Sequence, residues 1–426
     1  MSEAYSAHVL DNGLTVLLQE NHSAPIVSHQ VWYRVGSRNE VPGKTGISHF
    51  VEHMQFRGTK RFPGEVASRE IFRNGGILEA NTYWDWTAFC ETMPADRIGI
   101  AIEMEADRMV NSLFDPKDVE LERTVILSEQ EGDAGDPLSN LMNFIRKTIF
   151  PHHPYGWDIL GETEDLLSLT RDDLYDHYRT WYAPNNAVIS VTGHFRTEEM
   201  LRRIETACGA IPPRTLPALS IAPEEPVDRQ LTVEMKGFGD FSDLQIAWHV
   251  PDAKDPDIPA LTLLTSILAG TCSMNTYNKC FISNRTSRLF RKLVNGGMTA
   301  DVSIEYLPTL DPYYLIVSAP VSPGVSPEEV REAVFEEFEN IAGQGVLPAE
   351  IAKARRQANA MFACSAEDIP AQAHWLGYSS MFAGPSWYPE YLQRLESVSA
   401  EDISRVAGTY FRRDNCVTGI FRAKEE

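Results

Sequence analysis

The residues of this chain best placed to do chemistry are His49, Glu52 and His53, spaced His49-x-x-Glu52-His53. On a helix of 3.6 residues per turn, His49 and His53 stand one above the other with Glu52 beside them. Two imidazoles and a carboxylate then face one point. Neutral histidine nitrogens hold zinc at about 2.0–2.1 Å, and a catalytic zinc keeps one position open for water. Glu52 is the natural base in such a site. Two solvent-facing histidines on an ordinary amphipathic helix would give the same five letters, so the surrounding chain has to decide.

A second set of carboxylates lies downstream. Asp115-Pro116-x-Asp118 is a strong helix start, with Asp as cap and Pro at the first helical position. The helix it opens, over about 117–132, carries Glu120, Glu122, Glu129 and Glu131. Glu122 and Glu129 are seven apart, close to two turns, and share one face.

The elements that must position these groups read as alternating strands and helices. Strand patterns cover 14–18 and 26–35, the latter with Val27, His29, Val31 and Tyr33 on alternate positions. The loop 36–44 leads into the motif helix, which Thr45 can cap. A short helix over 65–73, a Gly75-Gly76 turn, a strand pair within 77–90 and an amphipathic helix over 94–112 follow. Helix 138–150, a turn-rich 151–156, a capping box at Thr170 and a strand over 186–193 close the first part. Residues 212–228 hold five prolines and read as an extended linker.

Beyond the linker the pattern starts again. His29-Gln30-Val31-Trp32-Tyr33 is echoed by Leu244-Gln245-Ile246-Ala247-Trp248, and Thr170-x-x-Asp173-Leu174 by Ser399-x-x-Asp402-Ile403. The offsets are 215 and 229 residues, as a duplicated unit with insertions would give. The expected fold is therefore α+β: two homologous halves, each a mostly antiparallel sheet with helices on one face, facing each other across a cleft. The expected boundaries are 1–211 for the first domain, 212–228 for the linker and 229–426 for the second domain. The second half's helix, about 258–269, has no histidine or acid at the motif positions. Only the first half can bind metal.

The totals narrow the class of partner. With 38 basic against 60 acidic residues in 426, the net charge is −22, which argues against nucleic acid and anionic membrane. Six scattered cysteines without a C-x-x-C pair suit a reducing compartment, with a Cys272–Cys280 disulfide as the alternative. No apolar run approaches 18 residues, and residues 1–20 lack the basic and apolar regions of a signal peptide. The expectation is a soluble cytoplasmic chain, or a periplasmic one if a leader has been removed.

Linked motifs then carry a resemblance that spans nearly the whole chain. They are Gly46-Ile47-x-His49-x-x-Glu52-His53-Met54-x-Phe56-x-Gly58-Thr59, Ala80-x-Thr82-x-x-Asp85-x-Thr87, Pro154-Tyr155-Gly156 and Ser287-Arg288-Leu289. Together they resemble the pitrilysin-type (inverzincin) zinc peptidases, in the branch of the mitochondrial processing peptidase and its bacterial relatives. The resemblance implies one zinc per chain, held by His49, His53 and Glu129, the last 76 residues past His53. It implies Glu52 as base and Glu122 as a supporting group that orients a ligand or tunes the water. It also implies a peptide substrate lying as an extended strand along residues 77–82, against Glu79, Ala80 and Asn81.

Two departures matter. Relatives usually have Asn-Ala where this chain has Glu79-Ala80, so Glu79 either favours a basic residue in the peptide or faces solvent. Self-sufficient relatives carry an arginine and a tyrosine after Ser-Arg-Leu, and here those positions fall at Val294 and Ala300. The resemblance thus points to the zinc-bearing subunit of a heterodimer whose homologous partner supplies Arg and Tyr, with a homodimer as runner-up. Arg285, Arg288, Arg291, Tyr277 and Tyr306 are nearby substitutes if the insertion at 272–284 shifts the register. A non-catalytic assembly subunit of the same superfamily is the alternative. His152-His153 reads as a loop feature and Trp84 and Trp86 as core.

Overall fold

The computed structural model describes residues 5–239, 241–272, 281–283 and 285–424. It divides into two units, one made of Met1–Glu131, Trp157–Ile221 and Ala366–Trp387, the other of Gly132–Gly156, Ala222–Ser365 and Tyr388–Glu426.

The strands of the first unit are β1 (Ser6–Val9), β2 (Thr15–Glu20), β3 (Ile26–Tyr33), β4 (Ile77–Thr82), β5 (Thr87–Pro94) and β6 (Ala187–Gly193). Those of the second are β7 (Leu231–Phe238), β8 (Ser242–Val250), a short pair β9 (Gly270–Cys272) and β10 (Phe281–Ser283), then β11 (Ser303–Tyr306), β12 (Tyr313–Val321) and β13 (Cys416–Lys424). The first sheet runs β1-β2-β6-β3-β5-β4 and the larger second one β11-β12-β8-β13-β7. Each has one parallel pair, β2 with β6 and β7 with β13, in an otherwise antiparallel ladder. The two α+β halves expected from the duplication are present.

Five helices follow in the first stretch of chain: α1 (Ile47–Met54), α2 (Val66–Arg73), α3 (Gly99–Asn111), α4 (Pro116–Ala134) and α5 (Pro137–Ile149). Then come α6 (Thr163–Ser168), α7 (Arg171–Trp181), α8 (Thr197–Cys208), α9 (Ile258–Leu268), α10 (Pro327–Gln344), α11 (Pro348–Ser365), α12 (Ile369–Phe382), α13 (Trp387–Ser397) and α14 (Ala400–Tyr410). The capping boxes read at Thr170 and Ser399 both form, each hydroxyl accepting from the third residue on. Residues 212–228 carry no regular element, as five prolines without ladder donors require.

The units do not follow chain order, and the expected boundaries do not describe them. Residues 132–156 belong to the second unit and 366–387 to the first. The reason lies in the sheets. Alternation in β3 puts Val27, Val31 and Tyr33 on a core shared with Phe50, Val51 and Met54 of α1 and Ala101 and Ile102 of α3. The opposite face of β3 is buried too. There Gln30 donates to Pro370 O at 3.1 Å, and the Trp32 ring centroid lies 4.9 Å from that of His374. A large indole cannot face water along a central strand, so α12 covers it. In the second unit α5 packs on β13, where a Cβ at Gly419 would stand 2.5 Å from Ile145 Cδ1. Each sheet is covered by a helix drawn from the other half of the sequence.

Candidate active site

Helix α1 is preceded by Gly46 at its cap position, whose φ of 80° is left-handed. A side chain there would strike Leu160 O at 2.5 Å, and one at Gly161 would strike Gly46 Cα at 2.6 Å, so two glycines let the segments touch. Thr45 is not the cap. Its hydroxyl donates to Asp165 at 2.6 Å. The orphan amides of Gly46 and Ser48 donate instead to the two oxygens of buried Glu40, each at 2.9 Å. That acid, seven residues before Ile47, is not legible as a cap because it reaches the helix from a preceding loop.

From α1 the imidazoles of His49 and His53 converge, with their Nε2 atoms 3.2 Å apart. Oε2 of Glu129, on α4, lies 3.6 Å from His53 Nε2 and 3.9 Å from His49 Nε2. Among the described residues these three form the group that could hold a metal ion, with all ligand atoms within 4.8 Å of one another. Two ligands at about 2.1 Å from a tetrahedral centre stand about 3.3–3.4 Å apart, so the set fits zinc with small adjustments.

The two imidazoles are tuned in opposite directions. Burial, with His53 beside it, pushes His49 down to about 3, so it is neutral, the ligating form. Burial also opposes charge on His53, but the Glu122 hydrogen bond and nearby carboxylates raise it overall. Oε2 of Glu122 accepts the Nδ1–H of His53 at 2.8 Å, leaving Nε2 its lone pair. Glu122 shares its other oxygen with Arg57, from Nε and Nη2. Although burial raises the Glu122 carboxyl, hydrogen bonds from His53 and Arg57 lower it overall.

Glu52 is buried at 7% exposure beside this group. Burial raises its carboxyl, an effect a general base uses, because a base poised nearer neutrality accepts a proton more readily. Its Oε2 accepts from the Thr82 hydroxyl at 2.6 Å, and Thr82 lies 3.3 Å from Thr87, whose hydroxyl donates to Val35 O. Both threonines belong to Ala80-x-Thr82-x-x-Asp85-x-Thr87, but spacing alone does not reveal that Thr82 bonds the base with Thr87 behind it. Glu52, His53, Phe56, Arg57, Phe72 and Glu122 help line an adjoining cavity of about 500 Å³.

Strand β4 forms the outer edge of its sheet, with Glu79, Ala80 and Asn81 paired inward to Cys90, Phe89 and Ala88. Glu79 and Asn81 are exposed and Ala80 packs toward the core. In the second unit Val294 is half-buried and Ala300 exposed, and neither side chain can donate a hydrogen bond. Of the nearby substitutes, Arg288 is taken by both Glu350 oxygens and Gly345 O. The Tyr306 hydroxyl is bonded to Thr262. Arg285 and Arg291 are exposed, while Tyr277, Cys280 and most of 272–284 lie outside the described residues.

The His152-His153 pair is held within its loop. His153 Nε2 pairs with Asp311 at 3.1 Å and its Nδ1 accepts from Tyr155 N, while the amides of His152 and His153 donate to Glu224. Trp86 stacks on Tyr83 and approaches Trp32, so it is core as expected.

Comparison with known proteins places this geometry. The family profile described as "Insulinase (Peptidase family M16)" matches residues 15–162, and that described as "Peptidase M16 inactive domain" matches 168–358. The chain is 26% identical over 419 residues to the probable mitochondrial-processing peptidase subunit beta of Arabidopsis thaliana, covering 96% of this chain and 77% of that protein. It is 22% identical over 408 residues to the uncharacterized zinc protease YmxG of Bacillus subtilis, covering 96% of each. A solved protease from Helicobacter pylori superposes with a TM-score of 0.91 at 22% identity, over 99% of this chain and 100% of that one. Metal-type spacing, two α+β halves and both profiles agree: the chain belongs to the M16 family of insulinase- and pitrilysin-type zinc peptidases.

Proposed function

We propose that this protein is a zinc metallo-endopeptidase that hydrolyses peptides or unfolded polypeptide segments, with His49, His53 and Glu129 as metal ligands. The observation that carries it is the convergence of the two Nε2 atoms and the Glu129 oxygen beside a buried carboxylate. Zinc bound there would lower the pKa of its water from about 15.7 toward about 7 and polarise the scissile carbonyl. Glu52, steadied by Thr82, takes a proton from the attacking water and delivers it to the leaving amine. Glu122 keeps His53 turned so that Nε2 faces the metal position. The open edge of β4 offers main-chain partners to an extended peptide at Glu79, Ala80 and Asn81.

Val294 and Ala300 offer no hydrogen-bond donor at the positions where self-sufficient relatives carry arginine and tyrosine to steady a developing oxyanion, a contribution of about 3–4 kcal/mol in other hydrolases. A homologous partner chain carrying arginine and tyrosine is the arrangement that restores them, a heterodimer before a homodimer. The relatives named "subunit beta" support it. Assay of the purified chain alone and mixed with a co-purifying homologue tests this. Cleavage only in the mixture is expected, and full activity of the chain alone would contradict it. The same two missing side chains also favour a second reading, a non-catalytic assembly subunit. On that reading the wild type and Glu52→Gln would be equally inert with any partner.

A further inference from the structure

Within the metal group the two histidines are held unequally. Nδ1 of His49 is buried with no hydrogen-bond partner among the described residues, whereas Nδ1 of His53 donates to Glu122 at 2.8 Å. The orientation of the pair is therefore set from the His53 side. Glu122 in turn is 5% exposed and bonded on both oxygens, to His53 through Oε2 and to the Arg57 guanidinium through Oε1. His53 and Arg57 are four residues apart on one segment, and Glu122 reaches across from α4 to touch both.

We propose that Arg57 is a positioning residue of the metal centre: its guanidinium anchors one oxygen of Glu122 so that the other stays aimed at His53 Nδ1 and keeps His53 Nε2 turned to the metal. A carboxylate held by one partner rotates about its terminal bond, while one held at both oxygens has its plane fixed. Arg57 supplies that second hold with two N–H groups of a planar fork, which a flexible point donor reproduces poorly. Without Arg57 the one anchored imidazole loses the fixed direction of its support, and a group that orients a ligand in this way is typically worth 10–100-fold in metal affinity. Arg57 also lines the cavity beside Glu52, so contact with substrate is the competing role that a test has to separate.

The inference rests on the zinc reading, and the test keeps the two apart. Zinc dissociation constants are measured by competition with a chromophoric chelator on the full chain, without any turnover, for wild type, Arg57→Gln, Arg57→Lys, Glu122→Gln and the double variant Arg57→Gln/Glu122→Gln. Arg57→Gln is expected to weaken zinc about 10–100-fold and Arg57→Lys to fall between it and wild type. In the Glu122→Gln background, Arg57→Gln is expected to add less than about twofold, because its effect runs through Glu122. Wild-type binding with Arg57→Gln within about twofold of it, or an equal loss from Arg57→Gln in both backgrounds, overturns the proposal and leaves the zinc reading intact. A wild-type chain that binds no zinc overturns both.

Discussion

Helices α1 and α9 follow the corresponding strands β3 and β8 in the two duplicated halves, and their contents differ. All eleven residues of α9 are buried, and its hydroxyls are all partnered, Thr262 by Tyr306 and Tyr391, Thr265 by a backbone carbonyl and Ser266 by Gln357. Helix α1 buries Ile47, Phe50, Val51 and Met54 but leaves His49 and His53 half-buried on one side. One position in the repeat carries packing, and its counterpart trades a stripe of packing for ligands. Polar cost in α1 is met from outside the helix, by Glu40 at its start, Thr82 on Glu52 and Glu122 on His53. A metal-competent helix in this fold therefore draws on carboxylates, Glu40 and Glu122, where its packing twin is served by neutral hydroxyls and an amide.

The sharpest way to break this contrast is to disable the base alone. Glu52→Gln is expected to slow peptide cleavage by about 10²–10⁴-fold at unchanged zinc content, measured as initial rates on the assembled enzyme. Zinc loss in that variant would mean that Glu52 holds the site together and does not act as base.

The exchanged helices offer a second contrast. A Cβ at Gly377 of α12 would lie 2.0 Å from Trp32 Nε1, on a rigid indole, whereas at Gly419 of β13 it would meet the end of the flexible Ile145 side chain. Gly377→Ala is expected to lower stability by about 1–3 kcal/mol in urea unfolding and Gly419→Ala by less. Equal losses would show that indole and isoleucine yield alike.

Acid separates the units further. In the first, burial lowers His29 to about 4 and both His177 and His374 to about 3, against 6.5 when unfolded. Such groups stay neutral when folded and bind protons on unfolding, so stability is present above pH 6.5 and falls as pH drops below it. Each is expected to cost the folded state about 1–2 kcal/mol between pH 6.5 and 5. In the second unit, burial lowers His249. Buried Glu40, raised to about 8, and Glu91, raised to about 7, gain over the same fall and offset this loss in the wild type, so the check is a difference: His374→Gln is expected to lose about 1–2 kcal/mol less than wild type between pH 6.5 and 5 in urea unfolding, and an equal loss would contradict a neutral buried imidazole. The smallest expected effect is that of Thr82→Val, about tenfold in kcat, with zinc affinity unchanged. A matching fall in zinc affinity would assign Thr82 to the metal and not to the base.

Much of the site was legible because its chemistry is local or periodic. The i,i+4 histidines and the i,i+7 glutamates each declare a shared helical face, and the resemblance joined the two faces. Thr82, Arg57 and Glu40 escaped because their roles depend on which segments the fold brings together, and spacing along the chain carries no trace of that. The same limit hid the helix exchange. The repeat in sequence marks two halves correctly, but α5 and α12 pack on the sheet of the opposite half, a fact written only in buried faces such as Ser28, Gln30 and Trp32 on the side of β3 where α12 packs.

The most direct test of the central claim is the zinc content of the purified chain, measured by elemental analysis after dialysis against metal-free buffer and a return of one equivalent of zinc. One zinc per chain is expected for wild type and for Glu52→Gln, with little retained by His53→Ala or Glu129→Ala. A folded wild-type chain that retains no zinc, or a His53→Ala chain that retains as much as wild type, would contradict the account.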